Sequence, residues 1–429
     1  MATLKRNTVL LLTAAALLVL VLARPVPAQD SAADQGPKTK SGYEDVPQFG
    51  GPSSTGAQLE ENDEVREPLL RFPGIDKALK PWFDFKANLN KKHGFSFAFD
   101  YNALYQGVSE SLGEDTAAGG IFRAYGSWTL LGRDTGHRGS LTWKVENRHR
   151  LGTDIAPQNL GFAAGYNGIT GTMFSDYEWG VTNLFWRQEF SQGRFVVLAG
   201  KVDPTDYLDV YGLINPLTAF QNLSFLTNPT IAAPNQGLGL AGGGMITDNL
   251  YAVAGFSDAN GDATRSGFDT FFDDNEYFKH IEFGWTSSKD RIYFDNIHIT
   301  AWHQDTREKA NVEDSRGLAF SATKFINDTW MPFLRAGWSE GNAPLLEGTV
   351  SAGVGYYMSP RKDLIGFGLN WGRPSTQGLR DQYTAELFYR LQLAQNLAVT
   401  PDVQLLIDPA LNPNEDQIWV LGLRARLTF

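Results

Sequence analysis

The stretch QIWVLGLRARLTF, residues 417–429, decides how the chain folds. In an extended strand side chains alternate between two faces, so Trp419, Leu421, Leu423, Ala425, Leu427 and Phe429 share one face. Gly422, Arg424, Arg426 and Thr428 share the other. A soluble sheet could turn the arginines to water and bury the rest. A membrane barrel turns the apolar face to lipid and the polar face to a water-filled lumen, with aromatics girdling the interfaces. The barrel reading also accounts for the terminal aromatic and for the recurrence of the pattern upstream, and the sequence favours it.

That recurrence begins at Phe95. Phe95, Phe97, Phe99, Tyr101, Ala103 and Tyr105 alternate with Ser96, Ala98, Asp100 and Asn102. Phe122, Ala124, Trp128 and Leu130 oppose Arg123, Tyr125 and Ser127; Leu141, Trp143 and Val145 oppose Thr142, Lys144, Glu146 and Arg148. Leu184, Trp186 and Phe190 oppose Asn183, Arg187 and Glu189. Further strands are expected near 194–202, 237–246, 249–256, 277–286, 291–303, 315–325, 329–338, 348–358, 363–372, 381–393 and 397–407, with glycines blurring the alternation between 194 and 256. The count is about sixteen, an even number as single-chain bacterial barrels have. Gln192-Gly193, Ile326-Asn327-Asp328 and Ala394-Gln395-Asn396 read as tight periplasmic turns, and 151–178, 203–236 and 257–276 as long outer loops. The expected fold is therefore all-β, a transmembrane antiparallel β-barrel over 95–429.

Upstream, Lys5 and Arg6 precede an apolar run from Thr8 to Ala23, and Val26-Pro27-Ala28 offers small residues for cleavage, so 1–28 reads as a secretory signal peptide. The run of 16 residues falls short of the roughly 20 a spanning helix needs. Residues 29–67, rich in Asp, Glu, Gly, Pro, Ser and Gln, read as a disordered, acidic, low-complexity periplasmic tail. Within 68–94, Ile75, Leu79, Trp82 and Phe83 recur at helical spacing, which predicts a short helix at the barrel mouth broken by Pro81; a loose connector is the alternative.

Composition narrows the function. With no cysteine among 429 residues, an exported chain relies on hydrogen-bonded closure in place of disulfides. A formal charge of −11 excludes a nucleic-acid partner, since phosphate recognition demands a basic surface. No P-loop or nucleophile elbow occurs, His298 and His303 fall on opposite faces of a strand, and Asp258-Ala259-Asn260-Gly261-Asp262 lacks the spacing of a calcium loop. The sequence thus points away from an enzyme and calls for no cofactor and no metal.

The lumen-facing candidates carry both signs: Lys144, Glu146, Arg148, Arg187 and Glu189 from the early strands, Glu386, Arg390, Asp402, Gln404, Arg424 and Arg426 from the last three. Such groups tune what passes a wet pore, or pair across strands and hold the wall. A mixed lumen suits a neutral polyhydroxylated solute; an anion channel would show a one-sided ladder of cations. The segment 203–236 is long enough to be functional and is expected to fold inward, offering Asp206 and Tyr211 to the pore, with Tyr207, Asp209, Asn215, Gln221 and Asn222 beside them.

Ala385-Glu386-Leu387-Phe388-Tyr389-Arg390-Leu391-Gln392-Leu393, Asn396-Leu397-Ala398-Val399-Thr400-Pro401-Asp402-Val403-Gln404, Leu421-Gly422-Leu423-Arg424 and the final Phe429 together resemble the OprB-type carbohydrate-selective porins. Phe294-Asp295-Asn296, Thr300-Ala301-Trp302-His303-Gln304-Asp305 and Gly200-Lys201-Val202-Asp203 are similar to the family's mid-barrel strand and its approach to the third loop. The resemblance implies a sixteen-stranded barrel in the outer membrane of a Gram-negative bacterium, often a homotrimer, admitting glucose-like sugars by diffusion. A general or organic-acid/anion diffusion porin of the same architecture is the alternative.

Overall fold

Alternation of the kind seen in 417–429 closes a sheet when every strand carries it. The computed structural model describes residues 49–358 and 363–429; the expected signal peptide and residues 29–48 of the expected tail lie outside them. Sixteen antiparallel strands, each paired with its neighbours in sequence, form a closed barrel from β1 (Phe95–Val108) to β16 (Gln417–Thr428). Closure pairs Asp100 with Thr428 and Asn102 with Arg426, leaving no sheet edge. In β16 Trp419, Leu421, Leu423 and Leu427 are exposed while Arg424 and Arg426 are buried, so the faces follow sequence parity. The glycine-blurred region also forms strands: β5 (Phe195–Val202), β6 (Gly237–Met245) and β7 (Leu250–Asp258). A Cβ on Gly244 would meet the Phe195 ring at 2.2 Å, so a neighbouring aromatic fills the place where alternation fades.

Connections alternate in length as expected. The short inner turns use left-handed residues, Ser191, Gln192 and Gly193 in one and Asn327 and Asp328 in another. Of the long loops, 203–236 folds into the barrel. Leu208, Tyr211, Leu213, Phe220 and Phe225 are buried against lumen-facing Phe278 of β8 (Tyr277–Thr286), Met331 and Phe333 of β11 (Trp330–Glu340) and Phe388 of β14 (Gln382–Ala394). Part of the lumen is therefore an apolar core, contrary to the expectation of a polar inner face.

The segment expected to be a disordered tail to residue 67 differs from that expectation once it enters the described residues. Thr55–Asp63 forms helix α1, capped by the Ser54 hydroxyl, with Thr55, Gln58, Leu59 and Asn62 buried inside the barrel. A second helix, α2 (Pro73–His93), has Pro at its start and Gly94 in the left-handed conformation at its end. Pro81 lies within α2 without ending it; the hydrogen bond it removes falls on the exposed side of the helix. A third helix, α3 (Pro157–Ala164), belongs to the outer loop after β3 (Gly139–Arg150).

Candidate functional site: a polar corridor beside β1–β5

With β7–β16 covered by the inward loop, the polar wall left open is the one carried by β1–β5, of which β4 is Glu178–Phe190. Parity turns Arg123 of β2 (Thr116–Leu131) and Lys144, Glu146 and Arg148 of β3 toward the lumen, where all four are buried. A cavity of about 370 Å³ is lined by these residues together with Ser53 and Gln58 from the α1 segment, Thr172, and Asp203, Thr205 and Asp206 from the loop. A second cavity, of about 430 Å³, lies toward the inner turns and is lined by Ser54, Thr55, Ser140, Thr142, Asn183, Arg187, Glu189, Asp203 and Asp206. Asp203 and Asp206 are common to both, so the loop forms the waist between them.

At the waist Lys144 Nζ stands 3.5 Å from Asp206 Oδ2, and Asn183 Nδ2 donates to the same oxygen at 3.2 Å. Burial pushes the Asp206 carboxyl up to about 7, with Lys144 pulling it down and Asp203 adding to the rise. On the outer side Arg148 Nε donates to Glu146 at 2.8 Å and Nη1 to the Met173 carbonyl at 2.9 Å, with its guanidinium 4.9 Å from the Tyr177 ring centre. Arg123 Nε donates to Asp100 at 2.7 Å. On the inner side Arg187 and Arg138 share Glu189 at 3.0 and 2.8 Å. Lys144, Arg123, Arg148, Arg187 and Arg138 each have a carboxylate within reach. The corridor presents donors and acceptors without a field of one sign.

The sequence-derived candidates divide. Lys144, Glu146, Arg148, Arg187, Glu189 and Asp206 line the corridor. Glu386, Asp402, Gln404 and Arg424 also face inward but lie beneath the loop and hold it. Glu386 accepts from the Gln221 and Asn222 amides at 2.6 and 2.9 Å. Arg424 donates to the Pro216 carbonyl and, at 3.0 Å, to that of Ala219. Gln404 accepts from Asn222 Nδ2 at 2.9 Å and donates to Asp402 at 2.9 Å.

Tyr211 is inside the apolar core, its hydroxyl bonded to the Phe225 carbonyl at 2.5 Å. Arg335 lies over its ring at 4.6 Å while pairing with Asp209. The buried histidine of β9 (Asn296–Gln304), His298, joins Asp209 at 3.2 Å, and His303 stands outside the lumen, as their odd spacing requires.

Arg390 and Arg426 serve α1. Glu61 lies 2.8 Å from Arg426, 3.0 Å from Arg390 and 3.4 Å from Arg66. Burial alone would raise the Glu61 carboxyl; the guanidiniums of Arg426, Arg390 and Arg66 outweigh it and hold it well below the usual carboxylate range. At the other end of the segment Phe49 is buried among Val196, Leu198, Ala241 and Tyr251, the Gly50 amide donates to the Tyr293 hydroxyl at 2.8 Å, and the Gly51 amide to the Asp206 carbonyl at 2.7 Å. Phe49–Asp63 is thus a strap across the inner half of the lumen, pinned near β5–β9 and again at β14 and β16. It leaves the corridor between itself and β1–β5. Arg123 and Asp100 share the parity signal of the named candidates and belong to the site; Gln58 carried no signal, because its contribution depends on α1 being in the lumen.

Residues 325–429, which hold β11–β16, match the sequence model of the carbohydrate-selective porin, OprB family. The high-pH structure of Pseudomonas putida OprB is similar in fold, with a TM-score of 0.65 at 15% identity over 81% of this chain and 97% of that chain. A mutant of Rh. blastica porin gives a TM-score of 0.50 at 13% identity over 78% of this chain and 100% of that one. No curated protein matches the chain. The resemblance to OprB-type porins thus holds in the sequence of the last strands and in the fold of the barrel.

Proposed function

We propose that the protein is an outer-membrane channel through which neutral, monosaccharide-sized carbohydrates diffuse passively. The observation that carries this reading is the corridor of paired charges and amides, narrowed between Lys144 and Asp206. Lys144, Arg123, Arg148 and Arg187 offer donors, and Glu146, Asp206, Glu189 and Gln58 offer acceptors, at successive heights along the wall. Each hydrogen bond to a hydroxyl contributes a net of about 0.5–1.5 kcal/mol, enough to favour entry and weak enough to permit exit. The match of 325–429 to a carbohydrate-selective porin family supports the same solute class. An amino-terminal signal would direct the chain through the inner membrane before strands close in the outer one.

Liposome swelling with glucose, with disaccharides and with organic acids, beside reversal potentials in planar bilayers, tests the proposal. Glucose is expected to enter faster than a disaccharide, with weak ion selectivity. Strong anion selectivity, or swelling that ignores solute size and hydroxylation, would overturn the sugar assignment and leave a general diffusion channel.

A further inference from the structure

Helix α2 is held at both ends against the inner rim of the barrel. Before it, the Leu69 and Leu70 amides donate to the Gln392 and Leu393 carbonyls at 2.9 and 2.8 Å. At its far end Arg133, in the inner turn 132–138, donates to the carbonyls of Asn90, Lys91 and Lys92 at 3.1, 2.8 and 2.9 Å. A cation capping the carboxyl terminus of a helix also suits its dipole. So fixed, α2 runs along the outside of the rim. The Trp82 ring lies 5.5 Å from that of Phe97 and 6.2 Å from that of Phe99, both on the lipid-facing side of β1.

At 100° per residue Ile75, Ala78, Trp82, Phe85 and Leu89 form one stripe, and Lys77, Lys80, Asp84, Asn88 and Lys91 form the opposite one. The protein covers only part of the apolar arc, using Leu79, Trp82, Phe83 and Leu89, while Lys86 turns inward to Asn62 and Asp63 at 2.8 Å. Ile75 remains 56% exposed, Phe85 52% and Phe72 45%. These exposed residues continue the aromatic band of β1, a surface whose occupant in a membrane barrel is lipid. Lysines outnumber aspartates on the polar stripe, and Lys92 adds to them beside it.

We propose that α2 is an interfacial helix embedded in the periplasmic leaflet, its apolar stripe among acyl chains and its lysines at the head groups of anionic phospholipid. The inference rests on the barrel alone and stands or falls independently of the solute. An unpartnered apolar stripe in water would instead invite association, and its fixed orientation beside the lipid band gives it a partner without one.

The chain has no cysteine, so single cysteines report unambiguously. Full-length protein carrying Ile75→Cys, Ala78→Cys or Phe85→Cys, and separately Lys77→Cys, Lys80→Cys or Asn88→Cys, is spin-labelled and reconstituted. Vesicles of phosphatidylethanolamine, with or without phosphatidylglycerol, are compared. The first three labels are expected to collide preferentially with oxygen and the last three with a water-soluble nickel chelate, and phosphatidylglycerol is expected to move the first three deeper. Ala78 is small and exposed, so that variant reports even where the larger substitutions weaken docking. Equal nickel access on both stripes would overturn the proposal. So would spin–spin broadening of the apolar-stripe labels, which marks a second copy as the occupant. A depth indifferent to phosphatidylglycerol would overturn the anionic assignment.

Discussion

Glu61→Ala tests whether the strap sets the width of the channel. One carboxylate oxygen takes Arg426, Arg390 and Arg66 at 2.8, 3.0 and 3.4 Å, and the side chains of Arg426 and Arg390 are only 3% and 8% exposed. Removing one partner of a buried ion pair costs about 3–5 kcal/mol, because the remaining charges stay desolvated. Glu61 itself is 20% exposed and Arg426 keeps Asp100 at 3.4 Å, so the low end, about 3 kcal/mol, applies. That corresponds to roughly a hundredfold shift toward an undocked strap. The Phe49 anchor and the Gly50–Tyr293 bond remain, so the expected state is a strap that docks and releases at its carboxyl-terminal end.

In single-channel recordings the variant should flicker between the wild-type level and a larger one, and protease added to purified protein should cut near residue 61. Heat-modifiable migration in gels verifies that the barrel is closed. Unchanged conductance, unchanged noise and unchanged protection in a folded variant would refute the reasoning. A depressed carboxyl loses its contribution only as pH falls through its own low value, so docking of the wild-type strap should not change between pH 8 and 5.

Other outcomes follow from the same contacts. Asp206, with its carboxyl pushed up to about 7, is neutral below that pH and charged above it, so cation selectivity should rise from pH 6 to 8. In Asp206→Asn the reversal potential should be flat over that range; a wild-type response surviving in the variant would exclude Asp206 as its source. Arg424→Ala leaves the Pro216 and Ala219 carbonyls without their donor and should loosen the loop by about 3 kcal/mol, read as faster hydrogen exchange across 216–222. Lys144→Ala removes a donor at the waist and should weaken sugar block of single-channel current about fivefold, or about 1 kcal/mol, without altering hydrogen exchange across 216–222.

The barrel was legible because its signal is periodic and unforgiving: a one-residue slip would put Arg424 and Arg426 into lipid and Leu421 and Leu423 into the lumen. Parity also told which residues face inward, and every lumen candidate on a strand does so. It could not tell what lies opposite them. Glu146 and Glu386 have the same parity, charge and burial, yet one lines a corridor and the other holds two amides of a loop, 165 and 164 residues earlier in the chain; the difference lies wholly in what 203–236 brings against Glu386.

A signal for that existed within the strands. Phe333, Phe388 and Leu364 share the inward parity of Arg335, Arg390 and Asn370, and apolar residues on both faces of a lipid-bounded strand mean that something apolar packs inside. The sequence 210–226, VYGLINPLTAFQNLSFL, is too apolar for an outward loop and is the matching half of that core. The strap hid for the opposite reason. TGAQLEEND has little apolar surface to bury beyond Ala57 and Leu59, but a polar lumen holds it by other means: Glu61 meets arginines, Asn62 and Asp63 meet Lys86, and burial is achieved largely by charge and amide pairing. Composition-based rules for disorder assume that a segment folds against hydrocarbon. On the side of the barrel that 203–236 leaves uncovered the wall is polar, and a polar helix is the one that fits it.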